Sequence, residues 1–547
     1  MYRKSEDQNH ELEDQLDPNA EINPEDVPVE EEQKSEVARI VPAWLISFAV
    51  HATIGLIFSM VVFSQADKDE ELPPMRITSI APPPDAPKEE KKLERDLETK
   101  PEINVETESD VVAPITPVTV DTKIDTQDES EEPPRGREEA VSTSETGGSG
   151  AFMAIGAGGG NAGMFGSRTG NGKRGAIRRG GGSHGSESAV DAALRWFKKH
   201  QSPNGMWDTI NYYQNCTEDP KCEKGGTNNE TTPNVAATGY ALLCYLGAGH
   251  DHRTPNKYRA TIEKGIEWLK SQQKNGRFSA SPHSNYEHAI ATMAIAEAYA
   301  MSQDGELRAP AQLALDQIVA KQNKGGAEAS SGGGGLGWDY LEPSSRNDSS
   351  VTGWCVMALK SGLAANLNIG NSLNGAKEWL KKTYEAANPD FAKFDPYTSQ
   401  AKFPYYWVTG SATALAEDRV PMGALCAVFL GHHSGDPMLE CLLNYVMANQ
   451  TVTQYPTNTY FMYYNTLAVY QAGGERWKKW NNVTRDVLVK SQRQDGCFDG
   501  SWDIGPFIGS EVGRTISTAY CCLSLEVYYR YKQIAAKEEK EKKAKVK

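Results

Sequence analysis

The chain has 547 residues, of which 24% are charged, and its formal net charge is −16. This acidic balance argues against nucleic acid as a partner, because the backbone phosphates would be repelled. Residues 1–39 and 65–146 are rich in Glu, Asp and Pro and poor in aromatic side chains. Such segments bury too little apolar surface to offset chain entropy, so we expect an acidic disordered tail and an acidic, Pro-rich disordered linker.

Between these two segments, residues 40–64 contain no charged side chain. A helix of about 25 residues is ~37 Å long and exceeds a ~30 Å hydrocarbon core. The acidic tail before it and the length of the apolar run disfavour a cleaved signal peptide. We therefore predict a single-pass transmembrane helix, which makes the membrane a partner. A short tail, an anchor and a large C-terminal domain lead us to expect that domain on the extracytoplasmic side.

Cysteine usage is compatible with that location. Cys216 and Cys222 share one polar loop, and their spacing could close a small disulfide in an oxidising compartment. The total of nine cysteines leaves at least one unpaired. The pairing of Cys216 with Cys222 stays open from the sequence.

Residues 147–187 are dominated by Gly and carry several Arg and Lys side chains. One interpretation is contact with an anionic lipid or polymer, and the other is a solvated, flexible neck, which we favour. The GNGK sequence in this neck does not satisfy the phosphate-loop pattern, and no apolar strand precedes it.

Residues 188–532 contain two kinds of helical segment in alternation. One kind is amphipathic and ends in a turn with Gln, Gly and an aromatic residue, whereas the other is apolar on every side. A helix with one apolar stripe is peripheral and a helix that is apolar all round is buried. Six outer and six inner helices predict an all-α fold, a closed α/α toroid of six helix pairs. Residues 533–547 form a charged tail that we expect to be disordered.

The turn pattern QxxxGx[WF] occurs three times, as Gln201, Gly205 and Trp207; Gln272, Gly276 and Phe278; and Gln492, Gly496 and Phe498. It resembles the repeat of the prenyltransferase and squalene-cyclase (terpenoid cyclase) superfamily, in which the Gln closes a helix end and the aromatic ring packs on the neighbouring repeat. The layout of anchor, neck and toroid is similar to that of bacterial membrane-anchored prenyltransferase/squalene oxidase repeat proteins. This resemblance implies a toroid in the periplasm.

The chemistry of that superfamily is not matched by these residues. Class II terpenoid cyclases use a DxDD motif with a protonated Asp, and the nearest sequences are Asn347-Asp348 and Glu417-Asp418. Prenyltransferases bind zinc through a D-x-C pair and a later His. Asp495-Gly496-Cys497 fits the pair, but no His follows His433. We therefore predict no metal site and no cofactor.

Polar residues at the starts of the inner helices should gather at one mouth of the toroid. The catalytic candidates are Glu287, His288, Asp348 and Asp418, and the binding candidates are Tyr464, Arg419 and Arg514. Helix capping is the alternative role for the acidic ones. An Arg is unfavourable at a helix N-terminus, so Arg419 and Arg514 predict carboxylate partners or an anionic ligand there.

Two classes of function follow from this arrangement. The first is a non-catalytic binding or scaffolding module whose mouth receives a polymer, a lipid or a protein. The second is an enzyme, either polysaccharide lyase-like, if His288, Tyr464 and Arg514 converge, or terpenoid cyclase-like, if an aromatic cavity lies over Asp348 or Asp418. Long loops at 325–347 and 388–414 that cover the mouth would disfavour both enzymes.

Overall fold

A computed structural model describes residues 168–226, 233–279, 281, 283–325, 336–414, 419–506 and 508–531. The predicted anchor at 40–64, the acidic segments and the catalytic candidate Asp418 lie outside these residues. None of the helices in the described ranges has the length and apolar character that a bilayer span requires.

The helices of the described part alternate between an outer and an inner layer. The outer layer consists of α2 (His184–His200), α4 (Arg259–Gln272), α6 (Gly305–Ala320), α8 (Ser372–Ala387), α10 (Pro437–Asn449) and α12 (Gly474–Ser491). The inner layer consists of α3 (Asn234–Gly247), α5 (Ser284–Ser302), α7 (Ser349–Ala364), α9 (Val420–Phe429), α11 (Thr459–Ala472) and α13 (Ile508–Leu525). Two short helices, α1 (Gly170–Gly180) and α14 (Val527–Arg530), flank this set.

The inner helices form a closed ring. Each packs against the next along the chain, and α13 packs back against α3. Burial follows composition, since α3 is buried from Ala236 to Gly247, whereas α8 buries one stripe that includes Trp379 and Leu380. Six helix pairs and the predicted α/α toroid are therefore confirmed for this part of the chain.

Gln side chains link four of the six outer helices to the next one around the ring. Gln201 Nε2 donates to the carbonyl oxygen of Thr261 at 2.9 Å and to that of Gly205 at 2.8 Å. Gln322 Nε2 bonds in the same way to Ser372 at the start of α8, at 2.8 Å. Each amide thus gives its N–H donors two acceptors, one in its own turn and one near the start of the next outer helix.

In the second repeat the linking residue is Gln273, not the predicted Gln272. Gln273 Nε2 donates to Pro310 at 2.9 Å, whereas Gln272 donates to its neighbour Ser271. The predicted spacing was wrong by one residue because the turn before Gly276 is one residue shorter.

The last repeat also differs from the prediction, because the structural equivalents of Gly205 and Trp207 are Gly500 and Trp502 rather than Gly496 and Phe498. Gly205 and Gly500 have φ of +98° and +91°, and a Cβ on either would lie within 2.2 Å of a carbonyl oxygen of the next outer helix. The indole N–H groups of Trp207 and Trp502 donate to outer-helix carbonyls, each at 2.8 Å.

Two short strands, β1 (Arg346–Asp348) and β2 (Tyr406–Val408), pair antiparallel just before α7. They come from the two long loops at 325–347 and 388–414. The Ser349 amide donates to the Tyr405 carbonyl at 2.9 Å, which fixes this ribbon to the start of α7. The loops therefore meet at the end of the toroid where α7 begins.

The folded part begins earlier than residue 188. Residues 170–180 form α1, and Arg168 is fully buried, with its guanidinium 2.8 Å from the Glu297 carboxylate. Arg530 contacts the same carboxylate at 3.1 Å. Because a buried charge needs an ion partner, the pairing with Glu297 fixes Arg168 within the fold. The interpretation of residues 147–187 as a flexible neck is thus wrong for its C-terminal part, which forms a helix and packs on the toroid.

Candidate functional site

The predicted site residues lie at the starts of different inner helices. Glu287 and His288 are in the first turns of α5, Asp348 precedes α7, Arg419 precedes α9, and Arg514 is near the start of the regular part of α13. Tyr464 lies within α11. These side chains share one end of the toroid. They do not form one reacting centre, because each of them contacts different partners.

His288 holds two repeats together. Its Nδ1 accepts from the backbone N–H of Phe278 at 3.2 Å, and its Nε2 donates to the carbonyl of Ala314 at 2.9 Å. These partners fix the neutral tautomer, since an N–H can only donate and a carbonyl can only accept. Burial lowers the pKa of His288 to about 3. Both ring nitrogens are engaged, so the hypothesis that His288 acts as an acid or base is corrected to a structural role.

Other repeats place a threonine where the second repeat has His288. The hydroxyls of Thr238, Thr352 and Thr518 accept from the backbone N–H groups of the three turn tryptophans, at 3.1, 2.9 and 3.3 Å respectively. These tryptophans are Trp207, Trp338 and Trp502. The position therefore serves the repeat frame.

Asp348 caps α7. Its Oδ1 accepts from the amides of Ser350 and Val351 at 2.9 and 3.0 Å, and its Oδ2 accepts from Arg346 at 2.9 Å. A carboxylate that accepts helix N–H groups and pairs with a guanidinium stabilises the helix end. The alternative that the sequence left open, helix capping, is the role that Asp348 has in the structure.

Glu287 is the other buried carboxyl group among the described catalytic candidates. It is 4% exposed, and its carboxylate accepts from the Ser281 hydroxyl. Burial raises the pKa of Glu287 above its ordinary range. A carboxyl group with a raised pKa can serve as a general acid when a substrate reaches it.

Tyr464 belongs to an aromatic cluster along the axis of the toroid. Its ring packs against Trp354 and Tyr460, with centroids 6.0 and 4.8 Å apart. Across the same axis, the hydroxyls of Tyr240 and Tyr520 are 2.7 Å apart. Burial raises the pKa of Tyr464 well above its ordinary value, so its hydroxyl is neutral and buried. This placement corrects the prediction of Tyr464 as a binding residue at the surface of the mouth.

Arg514 has the carboxylate partners that the dipole argument predicts. It donates to Glu223 at 2.9 and 3.0 Å and to Asp503 at 2.8 Å, and its guanidinium lies 4.5 Å from the ring centroid of Phe498. His288, Tyr464 and Arg514 thus contact three different sets of residues. None of these contacts joins two of the three side chains, and the convergence expected of a lyase stays a prediction.

The ribbon carries a partly exposed surface that the sequence did not predict. Arg346 lies over the rings of Tyr406, Tyr340 and Tyr405, at 4.5, 5.2 and 5.2 Å from their centroids. Arg419 extends it, at 4.8 Å from the centroid of Tyr405. We name the following six residues the ribbon surface: Tyr340, Leu341, Arg346, Tyr405, Tyr406 and Val408.

Strand alternation produces this surface. Trp407 points into the fold and is 3% exposed, while its neighbour Val408 is 40% exposed. Leu341 is 46% exposed. Arg346 pairs with Asp339 at 2.6 Å and with Asp348, so its charge is balanced within the chain. The surface therefore offers aromatic and apolar area around a guanidinium that is held in place.

A concave region lies on the outside of the toroid, between α8 and the segment that follows α9. It has a volume of about 610 Å³ and is lined by Tyr384, Phe391 and Met438 together with surface Lys and Glu side chains. His432 bonds to Asp436 at 3.0 Å in this region, and His433 bonds to Ser434. The two histidines therefore contact different groups.

The D-x-C pair at residues 495–497 does not act as a unit. Asp495 is exposed and pairs with Arg493 at 2.6 Å, whereas Cys497 is 2% exposed. The thiol of Cys497 lies instead near His200 and Cys216, and the three ligand atoms are all within 4.8 Å of one another. These three side chains form a group that can hold a metal ion, which the sequence analysis did not predict.

No protein-family model and no curated protein matches this chain. Similar solved structures include an inactive variant of the α-1,6-mannanase of Salegentibacter sp. HEL1_6 with α-1,6-mannotetrose, which is 12% identical over 64% of this chain and 99% of that chain, with a TM-score of 0.40. An α-amylase from Clostridium perfringens is 11% identical over 62% and 97%, with a TM-score of 0.40. The type II terpene cyclase MstE from Scytonema is 12% identical over 63% and 98%, with a TM-score of 0.38.

Proposed function

We propose that this chain is a non-catalytic binding module that residues 40–64 hold at a membrane and that recognises a protein partner through the ribbon surface. The toroid would lie in the periplasm, and the segment at 65–146 would give it reach. A polymer or a lipid at the mouth is the alternative ligand. The crosslinking experiment described below distinguishes a protein partner from these two alternatives.

The observation that carries the proposal is the composition of the ribbon surface. Tyr and Arg are enriched in the energetically dominant parts of protein interfaces, where they are buried in well-packed, desolvated surroundings. Here three tyrosines surround Arg346. Two apolar side chains that are more than a third exposed adjoin them: Val408 is the strand partner of Arg346, and Leu341 follows Tyr340 in the chain. Because Asp339 and Asp348 already balance Arg346, the surface favours a protein over a polyanion.

The other candidates at the mouth support a binding role in a different way. His288 and Asp348 use their polar atoms to hold helix ends, and Arg514 is held between two carboxylates. Groups committed to the fold in this way are not available to a substrate. The ribbon surface, in contrast, includes Leu341 and Val408, whose side chains are exposed.

Site-specific photo-crosslinking in living cells tests the proposal. We would place a photoreactive amino acid at Tyr406 and, as a matched control, at Lys382, which is 48% exposed on the outer face of α8. We expect a discrete protein adduct from position 406 that disappears in the Leu341→Asp/Val408→Asp background. Equal adducts from both positions, or an adduct that survives the two substitutions, would contradict the proposal.

A specific observation favours an enzyme as the second candidate. Glu287 is buried at the mouth with a raised pKa, as a general acid requires. Incubation of the purified chain with acidic polysaccharides and with a linear polyprene, followed by mass spectrometry, tests this candidate. Product that forms with the native chain and is lost in Glu287→Gln would replace the binding proposal by an enzymatic one.

A further inference from the structure

Four potential metal ligands meet where the first and last repeats of the ring join. His200 is the last residue of α2, Cys216 and Cys222 belong to the loop that follows, and Cys497 lies in the turn after α12. All four are buried, with exposures of 0, 8, 5 and 2% respectively. They thus connect the first repeat to the last, and His200 and Cys497 are almost 300 positions apart in the sequence.

Two of the ligand separations match those of a tetrahedral zinc site. His200 Nε2 lies 3.4 Å from Cys216 Sγ and 3.6 Å from Cys222 Sγ. With Zn–S bonds of ~2.3 Å and Zn–N bonds of ~2.0 Å, neighbouring ligand atoms in a tetrahedron are separated by roughly 3.5–3.8 Å. Cys497 Sγ lies within 4.8 Å of the His200 and Cys216 ligand atoms. The Cys222 sulfur lies outside this group of three, so a shared ion requires a small movement of Cys222 toward the other ligands.

The histidine presents the correct nitrogen. His200 Nδ1 is 2.9 Å from the Trp196 carbonyl, which can only accept, so Nδ1 carries the proton. The lone pair of Nε2 is therefore directed to the two thiols. A ligating histidine usually donates its other N–H to a carbonyl or carboxylate in this way, because that bond fixes the ring.

Backbone N–H groups are placed to stabilise two of the thiolates, those of Cys216 and Cys497. The amide of Cys222 donates to Cys216 Sγ at 3.3 Å, and the amide of Glu218 donates to Cys497 Sγ at 3.3 Å. Cys222 Sγ donates to the Cys497 carbonyl at 3.2 Å, a bond that ends when the thiol loses its proton. Amide donors to sulfur favour the charged form of a cysteine.

We propose that His200, Cys216, Cys222 and Cys497 bind one structural Zn²⁺ ion that fastens the closing seam of the toroid. Binding replaces three thiol protons, which are released to solvent, and gives a Zn(Cys)₃His centre with a net charge of −1. With four protein ligands the coordination is complete, which distinguishes a structural from a catalytic zinc. Arg514 is close enough for its positive charge to act on both His200 and Cys222, and the same guanidinium pairs with Glu223 and Asp503.

The test is the zinc content of the full chain, purified without chelator and measured by mass spectrometry of the metal. We expect about one zinc per chain. Cys497→Ser and Cys216→Ser should lose it, whereas Cys441→Ser, a matched change at a buried cysteine of α10, should retain it. A native chain without zinc overturns the proposal, whether thiol alkylation then finds a Cys216–Cys222 disulfide or free thiols.

A second measurement decides the matter if the variants do not fold. The native chain is depleted of metal and reloaded with Co²⁺, whose absorption spectrum reports its ligands. Intense thiolate-to-cobalt charge-transfer bands with tetrahedral d–d bands are expected. A weak octahedral spectrum, or no uptake of cobalt, would overturn the proposal. Neither measurement depends on the ribbon surface, so the two proposals can fail separately.

Discussion

The side-chain amide of Gln492 donates to the backbone carbonyl of Ala189 at 2.8 Å, and this bond connects the last outer helix to the first. The same amide donates to Gly500 at 2.9 Å. Gln201 makes the equivalent pair of bonds within the first half of the ring. One side-chain type thus serves both as the link between neighbouring repeats and as the link that closes the toroid.

The register of these links yields a prediction with an internal control. Gln273→Leu removes the donor to the Pro310 and Gly276 carbonyls, and leaves them with fewer partners at a half-buried site. We expect a loss of about 1–3 kcal/mol in the free energy of unfolding, measured with urea. Gln272→Leu should change it by less than about 0.5 kcal/mol, as surface substitutions do. A larger effect at Gln272 would restore the spacing that the sequence predicts.

Acid should destabilise the fold through His288. Its pKa in the folded chain is lowered to about 3, whereas an unfolded histidine has a pKa near ~6.5. The unfolded chain therefore binds a proton that the folded chain does not. The stability contribution is complete above pH ~6.5 and is lost as the pH falls from ~6.5 to 3, by up to ~1.4 kcal/mol per pH unit.

The variant His288→Thr isolates that contribution. Thr takes this position in three other repeats and can still accept from the Phe278 amide. We expect a smaller decrease in unfolding free energy between pH 6.5 and 4 for this variant than for the native chain. Identical slopes would show that other groups carry the acid sensitivity.

Arg168 should contribute to stability although it precedes the repeats. Arg168→Met leaves the buried Glu297 with Arg530 as its remaining arginine partner, and removal of one member of a buried ion pair costs ~3–5 kcal/mol. We expect a loss near the lower limit, about 3 kcal/mol, because Arg530 remains. Arg178→Met, at an exposed position of α1, is the control. Equal stabilities of both variants would place the start of the folded unit after α1.

The anchor can be tested by fractionation. A chain that lacks residues 1–64 keeps every described residue, so we expect it to fold and to leave the membrane fraction. The full chain should stay with the membrane after a high-salt wash, which removes peripheral proteins held by charge. Recovery of the full chain in the wash would rule out a spanning helix at 40–64.

The toroid could be predicted because its inner helices are apolar on every face, as the burial of α3 from Ala236 to Gly247 illustrates. The spacing of the repeats could not be predicted fully. A glycine-rich insertion separates Gln322 from Trp338. In the last repeat the structural equivalent, Trp502, lies four positions after Phe498. A sequence pattern predicts the glycine and aromatic residue nearest to the Gln. In the folded chain the equivalent residues are instead the pair that contacts the next outer helix.

The sites were less predictable than the fold. Sequence reasoning placed the polar residues at the correct helix starts, but it could not show that His288 bonds to Phe278 and Ala314. We also predicted no metal site, because no histidine follows Cys497 in the sequence. In the closed ring, His200 reaches Cys497 from the other end of the repeat series. Both outcomes depend on contacts between residues that are distant in sequence.

The proposed function is tested most directly by the affinity of this chain for the protein that crosslinks to position 406. The dissociation constant would be measured for the native chain, for Leu341→Asp/Val408→Asp and for Glu287→Gln. The proposal predicts that the ribbon variant weakens binding at least about tenfold, because charged groups replace apolar contact area, and that Glu287→Gln binds as the native chain does. Unchanged binding by the ribbon variant would contradict the proposal.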